Sequence, residues 1–130
     1  KGNLLVTFFH EVNKIKLSIA TITKLNCLLI KKLISKYTNK KILYKKPNDL
    51  FIDKKKICGI LQEIIFMQNK KYLITGIGIN INKSPYIKKC PTTNLNELTN
   101  KHIKINEIEK SLKQIFENNL LKMYNLNVNN

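Results

Sequence analysis

The sequence predicts an α+β fold, a mixed, mainly antiparallel sheet with helices packed on one face. Two observations carry this. Helical periodicity is found near both ends of the chain, and between them lies a succession of short apolar segments separated by polar turns. With 130 residues and 43% hydrophobic content, the chain suffices for one domain with a real core and is too short for two ordinary ones.

The elements follow in order. Leu4-Leu5-Val6-Thr7-Phe8-Phe9 is a short apolar and aromatic run of the kind that forms a buried strand. From Leu17 to Tyr37 the spacing changes: Ile22, Leu25, Leu29 and Leu33 recur at threes and fours, and Leu28, Ile30 and Ile34 widen the stripe. Lys31, Lys32 and Lys36 form the wet side of that helix and suit its C-terminus. Lys41–Lys45 and Leu50–Ile52 read as two strands around a turn at Lys46-Pro47-Asn48-Asp49, because Pro47 cannot donate to a ladder and Asn48-Asp49 favours a turn. After a polar turn at Asp53-Lys54-Lys55, Lys56–Met67 reads as a longer strand, and Gln68–Lys71 closes a hairpin into Tyr72–Ile81. A loop with Pro85 and Pro91 follows. Asn106 is the expected cap of a last helix, with Glu109 three residues on and an apolar stripe of Ile108, Leu112, Ile115, Phe116, Leu120 and Met123. A polar tail is expected from Asn125.

The formal net charge of +16 raises the question of nucleic acid, since clustered cations release counterions from a phosphate backbone. All 24 basic residues are Lys, however, and they are spread along the chain. Arg is the better fork for phosphate or guanine, so no specific nucleic-acid partner is expected. Cys27, Cys58 and Cys90 are odd in number and form no CxxC pair, which argues against zinc and a disulfide framework and for reduced thiols. His10 and His102 are isolated and read as structural. No long charge-free apolar run or signal segment stands out, so no membrane role and a cytoplasmic location are expected. The chain opens on Lys1 and enters an apolar run at once, which reads as a domain incomplete at its N-terminus.

Three segments could carry chemistry. Lys45-Lys46-Pro47-Asn48-Asp49 presents cations, a carboxamide and a carboxylate together, although an ordinary turn accounts for it alone. Lys56-Ile57-Cys58-Gly59-Ile60-Leu61 sets a lysine at a strand head with Gly59 three residues on, where a merely solvated lysine is the plain alternative. In Gly76-Ile77-Gly78-Ile79-Asn80, period two puts Gly76, Gly78 and Asn80 on one face and Ile77 and Ile79 in the core. Alternating glycines weaken a strand, so something must lie against the bare backbone, either a ligand or a closely packed helix. The pattern is not a dinucleotide fingerprint, since it lacks a third glycine and a following helix.

In order and spacing these segments resemble the biotin protein ligase family. Lys45–Asp49 is similar to the family's Lys-Trp-Pro-Asn-Asp motif with Lys46 in place of Trp, Lys56–Leu61 with Glu63 beyond is similar to its Lys-(small)-Ala/Cys-Gly-Ile-Leu segment, and Gly76–Asn80 to its Gly-Ile-Gly-Ile-Asn. Gly2-Asn3-Leu4 resembles the strand after the family's Gly- and Arg-rich loop, and Thr92-Thr93-Asn94-Leu95 a variant of its Ala-Thr-Ser-Leu element. The resemblance spans roughly residues 2 to 120.

It implies a class II aminoacyl-tRNA synthetase/biotin ligase-like fold, with residues 1–124 as a partial catalytic domain and 125–130 as the tail. It also implies an enzyme that joins biotin to ATP as biotinyl-adenylate and passes biotin to a lysine of a biotin carboxyl carrier protein of acetyl-CoA carboxylase. By the same resemblance Lys56 is the ammonium between carboxylate and α-phosphate, and Asp49 is the carboxylate that orients the incoming amine. Lys45 adds positive potential, Asn48 shapes the site, Gly59, Gly76 and Gly78 line the ligands, and Asn80 reads the adenine edge. Mg²⁺ accompanies ATP with no set of protein residues assigned to it, and a homodimer is a possible assembly. The family's Arg- and Gly-rich loop is absent from these residues, so the 130-residue chain is expected to bind biotin poorly by itself. A lipoate protein ligase, an inactive remnant and a basic nucleic-acid-binding module are the alternatives.

Overall fold

The computed structural model describes residues 2–12 and 18–129, and side chains as far as residue 119. Leu17 and the side chains of Leu120 and Met123, assigned above to helical stripes, lie outside the described residues. The elements run β1 (Leu4–Glu11), α1 (Ile19–Ile34), β2 (Ile42–Lys45), β3 (Asp49–Ile52), β4 (Lys55–Met67), β5 (Lys70–Ile79), α2 (Leu95–Thr99) and α3 (Ile105–Asn129). The five strands form one sheet in the order β1-β5-β4-β3-β2, with every neighbouring pair antiparallel. Among the described residues, a parallel contact is confined to an isolated bridge between Lys56 and Thr92.

Two tight turns set the registers. Asp53-Lys54 joins β3 to β4 with φ of 52° and 64°, and Gln68-Asn69 joins β4 to β5 with φ of 49° and 65°. Paired left-handed residues are the signature of two-residue hairpins whose twist matches the strands. The connection from β2 to β3 contains a cis Lys46–Pro47 bond, and the Tyr44 hydroxyl donates to the Pro47 carbonyl at 2.7 Å.

One face of the sheet meets the helices. Leu4, Leu50, Ile52, Cys58, Ile60, Ile77 and Ile79 are buried there with Cys27, Ile30, Leu33 and Ile34 of α1 and Ile108, Leu112 and Phe116 of α3. Phe116 stacks on Phe8 of β1 with ring centroids 4.7 Å apart. His10 lies parallel to Phe8 at 6.0 Å, and burial holds its pKa below the usual value.

Helix α1 starts at Ser18, whose Oγ accepts from the Thr21 N–H at 3.1 Å, as Ser does at a helix N-cap. Its buried face is rotated from the expected stripe: Thr23, Asn26 and Cys27 point inward while Leu28 is 43% exposed. The Asn26 Nδ2 donates to Gln62 Oε1 at 3.0 Å, while Asn26 Oδ1 and Gln62 Nε2 are buried without a hydrogen-bond partner among the described residues. The short helix α2 was not anticipated; Asn94 caps it by accepting from the Glu97 N–H at 2.8 Å. Helix α3 begins one residue earlier than the expected cap at Asn106, which therefore lies inside the first turn, and Lys104 O accepts from the Ile108 N–H. The helix continues through the stretch expected to be a tail from Asn125, where neither Pro nor Gly interrupts it.

All three cysteines are free. Among the described residues, no helix is long and apolar enough to cross a membrane.

Candidate active site

The other face of the sheet is where the three sequence segments meet. Gly59 of β4 stands opposite both Asp49 of β3 and Gly78 of β5, Gly76 stands opposite Leu61, and on β1 Leu5 and Thr7 face Gly78 and Gly76. Residues paired in register share a face, so the open face carries Asp49, Gly59, Leu61, Gly76, Gly78, Leu5 and Thr7. Ile77 and Ile79, 2% and 0% exposed, point into the core behind, as the strand period predicts.

Lys56 belongs to this face only because the strand is irregular. It stands three positions before Gly59, an odd offset that would put the two on opposite faces of a regular strand. The pairing of β3 with β4 steps from Leu50↔Cys58 to Phe51↔Lys56, so Ile57 is an extra residue on β4. Such a bulge reverses the alternation. Ile57 and Cys58 are accordingly both buried, and Lys56 emerges on the side of Gly59.

The Lys56 ammonium then lies 3.2 Å from Asp49 Oδ1, each side chain about one quarter exposed. The pair passes directly over Gly59: a Cβ there would sit 3.2 Å from Lys56 Cε, 3.3 Å from its Nζ and 3.4 Å from Asp49 Oδ1. Absence of a side chain at position 59 thus leaves room for ammonium and carboxylate to lie over the strand without being displaced. Gly78 is similarly constrained, since its Cβ would come within 3.3 Å of Leu5 Cδ2, whereas at Gly76 the nearest atom, Leu61 O, is 3.7 Å away.

These groups line one open cleft of about 380 Å³ that contains Asn48, Asp49, Lys56, Gly59, Gly76 and Gly78 together with Leu5, Thr7 and Leu61. A smaller cavity of about 200 Å³ shares Lys56, Gly59 and Gly78 and extends to Asn80, Pro85 and Ile87. The backbone of Lys56 is clamped on both sides, its N–H donating to Pro91 O at 2.8 Å and its carbonyl accepting from Thr93 N–H at 3.0 Å.

Of the residues expected at the site, Lys56, Asp49, Asn48, Gly59, Gly76 and Gly78 come together in the larger cleft and Asn80 lines the smaller. Asn48 is fixed to β4, its Nδ2 donating to Ile60 O at 2.7 Å. The carboxamide of Asn80 donates from Nδ2 to Lys56 O at 3.3 Å and accepts at Oδ1 from Asn3 Nδ2 at 3.4 Å. Lys45 does not line the cleft; its ammonium rests 5.0 Å from the ring centroid of Phe51. Leu5, Thr7 and Leu61 escaped the sequence reading. Period two marks them as surface positions, but only the register shows that they border the glycines.

An antiparallel sheet with helices on one face matches the fold of the biotin ligase catalytic domain. Biotin protein ligase from Aquifex aeolicus in complex with biotin and ATP superposes with a TM-score of 0.80 at 26% identity, over 96% of this chain and 53% of that one. The Leishmania major biotin protein ligase in complex with biotinyl-5-AMP (TM-score 0.71, 21% identity, 99% and 56% covered) and P. falciparum LipL1 in complex with lipoate (0.55, 20%, 97% and 36%) share the fold. No curated protein matches the sequence. The profile of the Biotin/lipoate A/B protein ligase family matches residues 1–80, and the chain belongs to that family. It spans about half the length of the Aquifex ligase.

Proposed function

We propose that this chain carries the catalytic face of a biotin protein ligase, which activates biotin with ATP and transfers it to a lysine of a biotin carboxyl carrier protein. The observation that carries the reading is the meeting of Lys56, Asp49 and the glycines at 59, 76 and 78 in one cleft. Further support is the likeness to an Aquifex ligase in complex with biotin and ATP.

The chemistry follows from charge. In the first step a biotin carboxylate oxygen bonds to the α-phosphorus of ATP, and the bond from that phosphorus to the bridging oxygen breaks, releasing pyrophosphate. Two anionic groups must approach, and charge spreads over the α-phosphate oxygens. A fixed ammonium is the remedy, because preorganised donors stabilise charge where it develops. Lys56 supplies it between the carboxylate and the α-phosphate. The glycines let the ligands lie on the backbone, and Asn80 borders the nucleotide end with one N–H and one lone pair still free to read the adenine edge. Lys45 adds positive potential from its place over Phe51, and Asn48 holds the turn that presents Asp49.

In the second step the carrier amine bonds to the acyl carbon and AMP departs. Asp49 orients that amine and accepts its proton once the adenylate has drawn Lys56 away. Among the described residues, Asp49 is the single carboxylate lining the larger cleft. That fits a Mg²⁺ ion which arrives on the triphosphate and takes at most one protein carboxylate, as Mg²⁺ commonly does with nucleotides. When bound, it would neutralise charge on the phosphates.

The test is exchange of labelled pyrophosphate into ATP, run with biotin and separately with lipoate. Exchange with biotin and none with lipoate is expected. Exchange with lipoate alone would transfer the reading to lipoate ligation, and exchange with neither, at concentrations where binding of the acid and of ATP is itself measured, would refute adenylation.

A further inference from the structure

Asn3 has no charge and no place in the cleft, yet its side chain ties together three parts of the chain. Its Oδ1 accepts from three consecutive backbone N–H groups, those of Ile81 at 2.9 Å, Asn82 at 3.2 Å and Lys83 at 3.0 Å. Its Nδ2 donates to Lys83 O at 3.0 Å and to Asn80 Oδ1 at 3.4 Å. Asn80 in turn donates from Nδ2 to the carbonyl of Lys56 at 3.3 Å.

The order of donors and acceptors along this relay is fixed. A carboxamide can turn end over end, and only its partners decide which end is oxygen. The three backbone N–H groups cannot become acceptors, so Asn3 must point its oxygen at them and its nitrogen at Asn80. Asn80 must then show its oxygen to Asn3 and its nitrogen to Lys56 O. With Asn80 reversed, two oxygens would face each other at Lys56 and two nitrogens at Asn3.

We propose that Asn3 is a positioning residue for Lys56, acting through the carboxamide of Asn80. The backbone of residues 81–83 thereby sets the orientation of Asn80, which adds a second donor to the Lys56 carbonyl that Thr93 N–H already holds. The importance of this for catalysis rests on the assignment of Lys56 given above; the coupling itself is a property of the chain without substrates.

Asn3→Asp separates the two jobs of the residue. It keeps an oxygen for the three N–H groups and replaces the donor that faces both Asn80 Oδ1 and Lys83 O by a second oxygen, so the Lys83 carbonyl loses its partner as well. Asn80 then turns its nitrogen toward Asp and its oxygen toward Lys56 O. The measurement is made on the 130-residue chain by ¹⁵N spectroscopy and by timed acetylation of lysines with acetic anhydride, read by mass spectrometry. In Asn3→Asp, the amides of Ile81, Asn82 and Lys83 retain their exchange protection. The side-chain NH₂ pair of Asn80 shifts, and acetylation of Lys56 quickens about three- to tenfold, the scale of one lost hydrogen bond, while Lys113 is unchanged. Asn3→Ala loses the loop protection as well. In pyrophosphate exchange, Asn3→Asp lowers kcat by a similar factor and raises KM for ATP as well, because the reversed Asn80 presents the wrong edge to adenine. An unshifted Asn80 NH₂ pair with unaltered Lys56 acetylation would overturn the proposal, whatever the exchange assay shows. A shifted pair and faster acetylation in a protein that exchanges no pyrophosphate, although it measurably binds biotin and ATP, would keep the coupling and sink the ligase reading.

Discussion

Gly59→Ala puts the smallest possible group under the ion pair, and its effect can be worked from distances. The added methyl would sit 3.2 Å from Lys56 Cε, 3.3 Å from Nζ and 3.4 Å from Asp49 Oδ1, against about 3.5–4.0 Å for comfortable carbon contacts. The tips of both side chains must give way by a few tenths of an ångström. They are the free ends of flexible groups, so the fold need not follow. Glycine within a strand is less favourable than alanine by about 0.5–1 kcal/mol, which makes the variant as stable as the parent or slightly more so. Misplacement of a reacting group by about 1 Å can cost about 10²-fold in rate, so a third of that displacement gives a loss of about fivefold. Pyrophosphate exchange at saturating biotin and ATP measures the rate, and urea unfolding measures the stability. A stabilised protein with impaired activity is the expected pair of results. Full activity in a stabilised variant would show that the bare backbone at 59 does not serve the ammonium, and a loss of stability matching the loss of activity would refute the claim that the sheet is unaffected.

Two further outcomes follow from the core and the thiols. Leu112→Ala, at a fully buried position where α3 meets the sheet, should cost about 2–5 kcal/mol in urea unfolding, and a loss below about 1 kcal/mol would mean that α3 is not packed as described. Burial, with a smaller contribution from Asp49, pushes the Cys27 thiol up to about 12 from 9.0, and burial pushes Cys58 up as well. The thiolate is the reactive form, so at pH 8 only about one part in 10⁴ of Cys27 is reactive. Iodoacetamide at that pH should modify the partly exposed Cys90 and spare both buried thiols, with Cys27 becoming reactive only as pH rises toward 12. Equal labelling of all three would contradict the burial.

The sequence made the periodic parts of this molecule readable. Strand alternation at Gly76–Ile79 predicts which side chains enter the core, and polar pairs such as Gln68-Asn69 mark hairpins because few residues tolerate left-handed backbone. The site residues were readable as three segments. The place of Lys56 beside Asp49 and the glycines was not, because it depends on the extra residue Ile57, and a bulge has no composition of its own. Helix α2 has five residues, too few to show a period. The rotation of α1 that leaves Leu28 outside and Asn26 inside depends on Gln62, a partner thirty-six positions away. Asn3 stood in plain view beside Gly2, but a relay to residues 80 and 56 is legible only once β1 lies beside β5.

Lys56→Ala offers the most direct trial of the catalytic assignment. The side chain is about one quarter exposed and its carboxylate partner can be reached by water, so the urea midpoint should move by no more than the equivalent of about 0.5 kcal/mol. Adenylate formation, followed as pyrophosphate release at saturating biotin and ATP, should fall at least about tenfold, since removing a single preorganised donor from a developing charge commonly costs more than that. A folded Lys56→Ala protein that releases pyrophosphate at the parent's rate would contradict the account.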